Sequence, residues 1–79
     1  MDAQQVEELV KAVLPDCEVQ VAGEGNAYQL VVVDAQFEGM RQVKRQQTVY
    51  AGLNGAIADG SIHAVTIRAF SPDEAQALI

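Results

Sequence analysis

The sequence has too little cysteine, histidine and positive charge for several classes of protein. One cysteine cannot form an internal disulfide, and one cysteine with one histidine cannot supply the ligands of a structural zinc site. Five Lys and Arg residues against eleven Asp and Glu residues give a formal net charge of −6. This charge opposes sequence-independent binding to nucleic acid, because that affinity comes from cations that displace counterions from phosphates.

Long apolar runs are also absent from the sequence. No stretch reaches the ~18 apolar residues that a membrane-spanning helix requires. Met1 and Asp2 are not followed by the basic and then apolar pattern of a secretory signal. We therefore expect a cytoplasmic protein that makes no membrane contact.

The length and composition are those of one small globular domain over residues 1–79. Hydrophobic residues make up 49% of the chain and charged residues 20%, which is too apolar for intrinsic disorder. A chain of 79 residues cannot divide its apolar surface between two stable cores.

Hydrophobic periodicity divides the chain into helices and strands. The predicted elements are a helix over residues 3–14, strands over 17–22 and 27–34, a helical stretch over 40–58 with at most one break, a strand over 62–70 and a short helix that Ser71 caps and Pro72 begins. The order is αββααβα or αββαβα, which is typical of an α+β fold. A helical connection permits parallel pairing of the second and third strands.

The second strand is predicted to be central, with both faces covered, because its apolar run over residues 30–33 is continuous. Cys17 heads the first strand, where a cysteine is usually a small buried hydrophobic residue. His63 begins the third strand, on the side shared with Val65 and Ile67. It is either a packed residue or a metal ligand, since neutral imidazole binds iron and zinc well. No nucleophile pairs with His63 at a known motif spacing, so no enzyme is predicted.

Three cations lie at helical spacing in the fourth predicted element. Arg41, Lys44 and Arg45 stand at i, i+3 and i+4, so a helix would display them as one basic patch. Such a patch can bind phosphate, an acidic partner or the protein's own acidic face. Gly52 and Gly55 match the G-x-x-G spelling of the KH nucleic-acid clamp, but they lie inside a helical pattern. We expect these glycines to permit close packing of the helix on the sheet.

Two segments together resemble the BolA family, FEGMRQVKRQQTVY at residues 37–50 and IHAVTIRAFSP at residues 62–72. The likeness extends over essentially the whole chain and is strongest to the IbaG-type bacterial members. It implies a class II KH-like fold, in which helices pack against a three-stranded mixed sheet. The predicted element order agrees with that fold.

The resemblance also implies a function. BolA-like proteins pair with monothiol glutaredoxins and can share a bridged [2Fe–2S] cluster, held also by the glutathione of the glutaredoxin, in cluster trafficking, iron homeostasis and stress response. The isolated chain would hold no cofactor. In the family pattern His63 is a cluster ligand. The second family ligand, a His or Cys between the first two strands, is missing from residues 23–27, where Glu24 is only a weak oxygen donor.

Nucleic-acid binding is the alternative function, since some BolA-like proteins are described as transcriptional regulators. Arg41, Lys44 and Arg45, with Arg68, would then contact DNA, whereas in the first interpretation the same patch would face the glutaredoxin. The net charge of −6 counts against DNA binding. Formation of a homodimer stays open.

Overall fold

A computed structural model of the chain describes residues 1–24 and 27–77, except for the side chain of Glu24. The elements are α1 (Ala3–Val13), β1 (Glu18–Glu24), β2 (Ala27–Val33), a 3₁₀ turn (Ala35–Phe37), α2 (Gln42–Ala58), β3 (Ala64–Phe70) and α3 (Pro72–Ala77). The order is αββαβα, and α2 is one unbroken helix, so the predicted alternative with two helices before β3 is wrong. Within the described ranges, no helix has the length and apolar character needed to cross a bilayer.

The three strands form one mixed sheet in the order β1-β2-β3. β1 pairs with β2 antiparallel, and β2 pairs with β3 in parallel. The predicted central position of β2 and its parallel partner are therefore confirmed. Ala27 pairs with both Glu24 and Ala64. The first residues of β2 and β3 thus lie at the same end of the sheet as the β1–β2 connection.

The core lies on one face of the sheet, beneath α1 and α2. Alternate strand residues point into it, and those on β2 and β3 are Tyr28, Leu30, Val32, Ile67 and Ala69. Val31 and Val33 point to the opposite face and are only half-buried. The prediction that both faces of β2 are covered is wrong, because the two long helices pack on the same face.

The third strand begins two residues later than the sequence pattern predicts. Ile62 is only 1% exposed, and its N–H donates to the carbonyl of Ala56 at 3.2 Å. This bond fastens the end of α2 to the residue before His63. His63 is exposed and precedes β3, so it does not continue the buried side of Val65 and Ile67 as predicted.

The start of α3 agrees with its sequence signature. The N–H of Ser71 donates to Glu74 Oε1 at 2.8 Å, and the N–H of Glu74 donates to Ser71 Oγ at 3.4 Å. These reciprocal bonds form the capping box that satisfies free donors at a helix start. Pro72 occupies the first helical position, where its missing N–H costs nothing.

Candidate functional site: an exposed histidine at one end of the sheet

His63 lies at the end of the sheet that carries the β1–β2 connection. It immediately precedes Ala64, which pairs with Ala27, the first residue of β2. The side chain is exposed, and among the described residues its imidazole forms no hydrogen bond or ion pair. Both ring nitrogens are therefore accessible, and the neutral ring can coordinate a metal from outside the chain.

The backbone around His63 is held on both sides. Before it, Ile62 is buried and bonded to α2, and after it Ala64 enters the sheet. The preceding turn is also ordered, because the N–H of Ser61 donates to Asp59 Oδ1 at 2.8 Å. Hydrogen bonds from Ser61 hold the pKa of the Asp59 carboxyl below its ordinary value. The imidazole thus projects from a firmly positioned segment, as a ligand with a defined direction requires.

Cys17 lies at the opposite end of the sheet from His63. It immediately precedes β1, whose first residue Glu18 pairs with Val33, the last residue of β2. The length of β2 separates the two ends by roughly 20 Å, at about 3.3 Å per residue. The predicted burial of Cys17 is confirmed, since the residue is 5% exposed. Burial, and then the nearby carboxylate of Asp34, raise the pKa of its thiol.

The described residues offer a metal no complete ligand set. They contain no group of three or more His, Cys, Asp or Glu side chains that could hold a metal ion. Glu24, the weak oxygen candidate, has a side chain that lies outside the described residues. Of the thiolate and imidazole donors that iron–sulfur clusters usually take, the described part of the chain presents the imidazole of His63 at this end of the sheet.

The predicted basic patch is not formed as expected, because Arg45 points inward. The residue is 4% exposed, and its guanidinium donates to the carbonyls of Met40 at 3.0 Å and Ala69 at 3.1 Å. It also donates to the Glu74 carboxylate and lies 5.9 Å from the centre of the Phe37 ring. The side chain points inward because Arg45 lies on the buried face of α2. It could reach water only by breaking these hydrogen bonds and leaving their acceptors unpaired.

The remaining cations of the predicted patch do not lie on one surface. Arg41 and Lys44 are exposed at the start of α2, where Arg41 is the N-cap residue. Arg68 is exposed on the face of the sheet opposite the helices, since its neighbours Ile67 and Ala69 face the core. Arg41 and Lys44 therefore form a smaller basic surface than predicted, and Arg68 is separate from it.

The G-x-x-G stretch lies inside α2 and forms no loop. A Cβ atom at Gly52 would lie 2.6 Å from the carbonyl oxygen of Leu9 in α1, whereas Gly55 faces open space. Gly52 thus permits close packing of α2 against α1, and the prediction of packing against the sheet is wrong. The backbone amides of residues 52–55 are engaged in the helix and are not available to clamp a phosphate.

The αββαβα order and the mixed sheet covered on one face are those of a class II KH-like α+β protein. The family described as BolA-like protein matches residues 9–74, and the chain belongs to the BolA family.

Individual relatives and solved structures agree with that assignment. The chain is 53% identical over 74 residues to an uncharacterised protein in the rpoN-murA intergenic region of Acinetobacter guillouiae, covering 94% of this chain and 89% of that protein. It is 42% identical to the acid stress protein IbaG of Escherichia coli strain K12, covering 94% and 88%. The structure of a BolA homologue from Coxiella burnetii superposes with a TM-score of 0.83 at 26% identity, covering 96% and 97%.

Proposed function

We propose that this chain is the BolA-like partner of a monothiol glutaredoxin and carries a [2Fe–2S] cluster shared between the two proteins. It would act in the cytoplasm as a carrier without catalytic activity, in cluster trafficking, iron homeostasis and stress response. The observation that supports this proposal is the exposed imidazole of His63, which has no partner among the described residues and sits on a fixed backbone.

The ligand set explains why a second protein is needed. Thiolates and imidazoles are the usual ligands of iron–sulfur clusters. His63 supplies one imidazole, and Cys17 is buried at the far end of the sheet. The glutaredoxin thiolate and its glutathione would add two more, which leaves one of the four ligand positions of a [2Fe–2S] cluster to a further donor. The cluster is the cargo of this complex and not a resident cofactor of the chain.

A site to which this chain contributes so few ligands is suited to release of the cluster. No His or Cys in residues 23–27 reinforces the hold of His63 on the cluster. We therefore infer a labile cluster that is readily transferred to an acceptor.

Nucleic-acid binding has weaker geometric support. Arg45 is occupied by the carbonyl of Ala69 and by Glu74, which removes a cation from the surface that would face phosphates. The residues Gly52 to Gly55 continue a helix, so they offer no free backbone amides. Arg41 and Lys44, the exposed cations that remain together from the predicted patch, would displace few counterions from phosphates.

Anaerobic mixing of the reduced chain with a monothiol glutaredoxin tests the proposal. Calorimetry and size exclusion should detect a heterocomplex of the apo proteins, and cluster reconstitution in the presence of glutathione should tighten it. The His63→Ala variant is the matched control for the cluster-dependent gain, because an exposed side chain can be removed without disturbing the fold. Absence of association both with and without the cluster would refute the proposal.

A further inference from the structure

The side chain of Asp59 stands at the end of α2, four residues before His63. Asp59 is the C-cap residue of that helix and is exposed. A helix end leaves carbonyl groups without donors, and an ionised carboxylate, which only accepts hydrogen bonds, cannot satisfy them. Its negative charge is also unfavourable at this end of the helix dipole. The Asp59 side chain therefore does not serve the helix that it ends.

Backbone groups satisfy the carbonyls at the end of α2 instead. The N–H of Gly60 donates to the carbonyl of Ile57 at 3.3 Å. The N–H of Ile62 donates to the carbonyl of Ala56 at 3.2 Å. Gly60 has a φ of +84°, the left-handed conformation that turns the chain at many helix ends. The backbone closes this helix without help from the carboxylate of Asp59.

The partner of the Asp59 carboxylate is Ser61, in the turn between α2 and His63. Asp59 Oδ1 accepts the N–H of Ser61 at 2.8 Å. The Ser61 hydroxyl, and after it the Ser61 N–H, lower the pKa of the Asp59 carboxyl by hydrogen bonding to its charged form. The end of the helix dipole alone would raise that pKa, so the bonds from Ser61 are the stronger influence. The carboxylate thus acts on the turn.

The bond from Ser61 adds one residue to this turn. At a common glycine-terminated helix end, the second N–H after the C-cap residue donates to the third helical carbonyl from the end. Here that bond would run from Ser61 to Ala56. Asp59 takes the Ser61 N–H, and the Ala56 carbonyl accepts from Ile62, one residue further along the chain. Ile62 is consequently the residue held in the core, and His63 is the residue that follows it to the surface.

We propose that Asp59 is a positioning residue for the cluster ligand, and that its bond from Ser61 fixes the direction in which the His63 imidazole leaves the fold. This inference rests on the proposed function. The imidazole forms no hydrogen bond or ion pair within the described part of the chain, so the backbone that carries it sets its direction. Ligands need such support from the residues around them. A fixed direction also reduces the entropic cost of completing the site.

Two glycines allow the turn to be strained without a change of side-chain chemistry. Gly60, in the turn, has a φ of +84°, and a Cβ atom there would face open space. Gly39 has a φ of +79°, and a Cβ atom there would also face open space. The two residues lie beyond opposite ends of α2. Gly60→Ala and Gly39→Ala therefore carry the same kind of backbone strain, but only Gly60→Ala strains the segment that leads to His63.

Backbone relaxation of the complete apo chain, measured by nuclear magnetic resonance, tests the positioning by itself. The order parameter of the His63 amide should be about 0.85 in the parent and fall below about 0.6 in Asp59→Ala. Asp59→Asn should keep the parent value, because the side-chain oxygen of asparagine can accept the Ser61 N–H. The amides of Val65 and Ile67 in β3 are internal controls that should not change. An order parameter near the parent value in Asp59→Ala would overturn the inference.

The bridged cluster gives the functional readout. Each variant would be reconstituted with the monothiol glutaredoxin and glutathione, and the visible circular dichroism and the rate of cluster loss to an iron chelator would be measured. Asp59→Ala and Gly60→Ala should alter the spectrum and release the cluster at least about tenfold faster, as expected for residues that orient a metal ligand. Asp59→Asn and Gly39→Ala should match the parent in both measurements. A merely structural role would make Gly39→Ala and Gly60→Ala alike.

The outcomes separate this inference from the proposed function. A parent cluster that Asp59→Ala leaves unchanged, or that Asp59→Asn disturbs as much as Asp59→Ala does, would overturn this inference alone. Equal effects of Gly39→Ala and Gly60→Ala on the cluster would also overturn it. A parent chain that forms no bridged cluster with the glutaredoxin would overturn the proposed function and this inference with it.

Discussion

Arg45 in α2 and Glu74 in α3 are joined by a charge-assisted hydrogen bond that links the start of the long helix to the short helix that follows β3. The Arg45 side chain is 5% exposed and the Glu74 side chain 47%. Glu74 also accepts the N–H of Ser71, while Arg45 also donates to the carbonyl of Ala69. One buried cation thus organises the point where α2, β3 and α3 meet.

Replacement of Arg45 is expected to destabilise the fold. Arg45→Met keeps an apolar stem but removes the donor that Arg45 gives to the carbonyl of Met40 and to the Glu74 carboxylate, at a cost of about 1–3 kcal/mol in the free energy of unfolding. Denaturant unfolding at neutral pH measures the loss. The adjacent variant Lys44→Met removes an exposed cation and should change stability by less than about 0.5 kcal/mol. Similar effects of the two variants would show that Arg45 has no structural role.

Acid should weaken the attachment of α3 through Glu74. The hydrogen bond from Arg45, followed by that from the Ser71 N–H, lowers the pKa of the Glu74 carboxyl from 4.5 to about 2. A carboxyl whose pKa is lowered on folding stabilises the native state above its unfolded pKa. This contribution is lost as the pH falls from 4.5 toward about 2. Unfolding curves of Glu74→Gln and the parent should therefore differ at pH 7 and converge toward pH 2. A difference that stays constant with pH would contradict this assignment.

The two glycines of α2 should respond to alanine in opposite ways. Gly55→Ala adds a methyl group in open space and should stabilise the helix by about 0.5–1 kcal/mol. Gly52→Ala would place its Cβ 2.6 Å from the carbonyl oxygen of Leu9. This overpacking should destabilise the protein by about 1–3 kcal/mol. Thermal unfolding measures both changes, and stabilisation by both variants would show that α1 and α2 are not closely packed.

The expected spectroscopic roles of His63 and Cys17 are also opposite. His63→Ala should alter the visible absorption and circular dichroism of the glutaredoxin-bridged cluster and leave the stability of the fold nearly unchanged. Cys17→Ser should leave those spectra unchanged but cost roughly 1–3 kcal/mol, because it buries a hydroxyl group. Altered spectra with Cys17→Ser and unaltered spectra with His63→Ala would reverse the ligand assignment.

Much of the fold follows from sequence patterns that have a local cause. The capping box at Ser71 and Glu74 depends on neighbouring residues, and the apolar run at residues 30–33 is long enough to mark the central strand. The sequence pattern places the start of β3 two residues too early, because Ile62 is a buried core residue that precedes the strand and is hydrogen-bonded to α2. Alternation along the sequence cannot distinguish these two kinds of burial.

The candidate site was harder to predict, because side-chain direction depends on distant partners. The helical spacing of Arg41, Lys44 and Arg45 predicts one exposed basic patch. Arg45 also stands four residues before Val49, on the buried face of α2, and this second spacing is the sequence signal that indicates its burial. Glu74, which pairs with Arg45, is 29 residues away and no local pattern connects them.

The central claim is that the His63 imidazole binds the shared cluster, and nitrogen labelling tests it directly. The chain has one histidine, so growth with ¹⁵N-histidine labels His63 alone. The labelled chain would be reconstituted with unlabelled monothiol glutaredoxin, glutathione, iron and sulfide. The bridged cluster would then be reduced by one electron and analysed by pulsed electron paramagnetic resonance. Our account predicts a strongly coupled ¹⁵N nucleus that disappears when His63→Ala replaces the parent. A reduced bridged cluster without ¹⁵N coupling would contradict it.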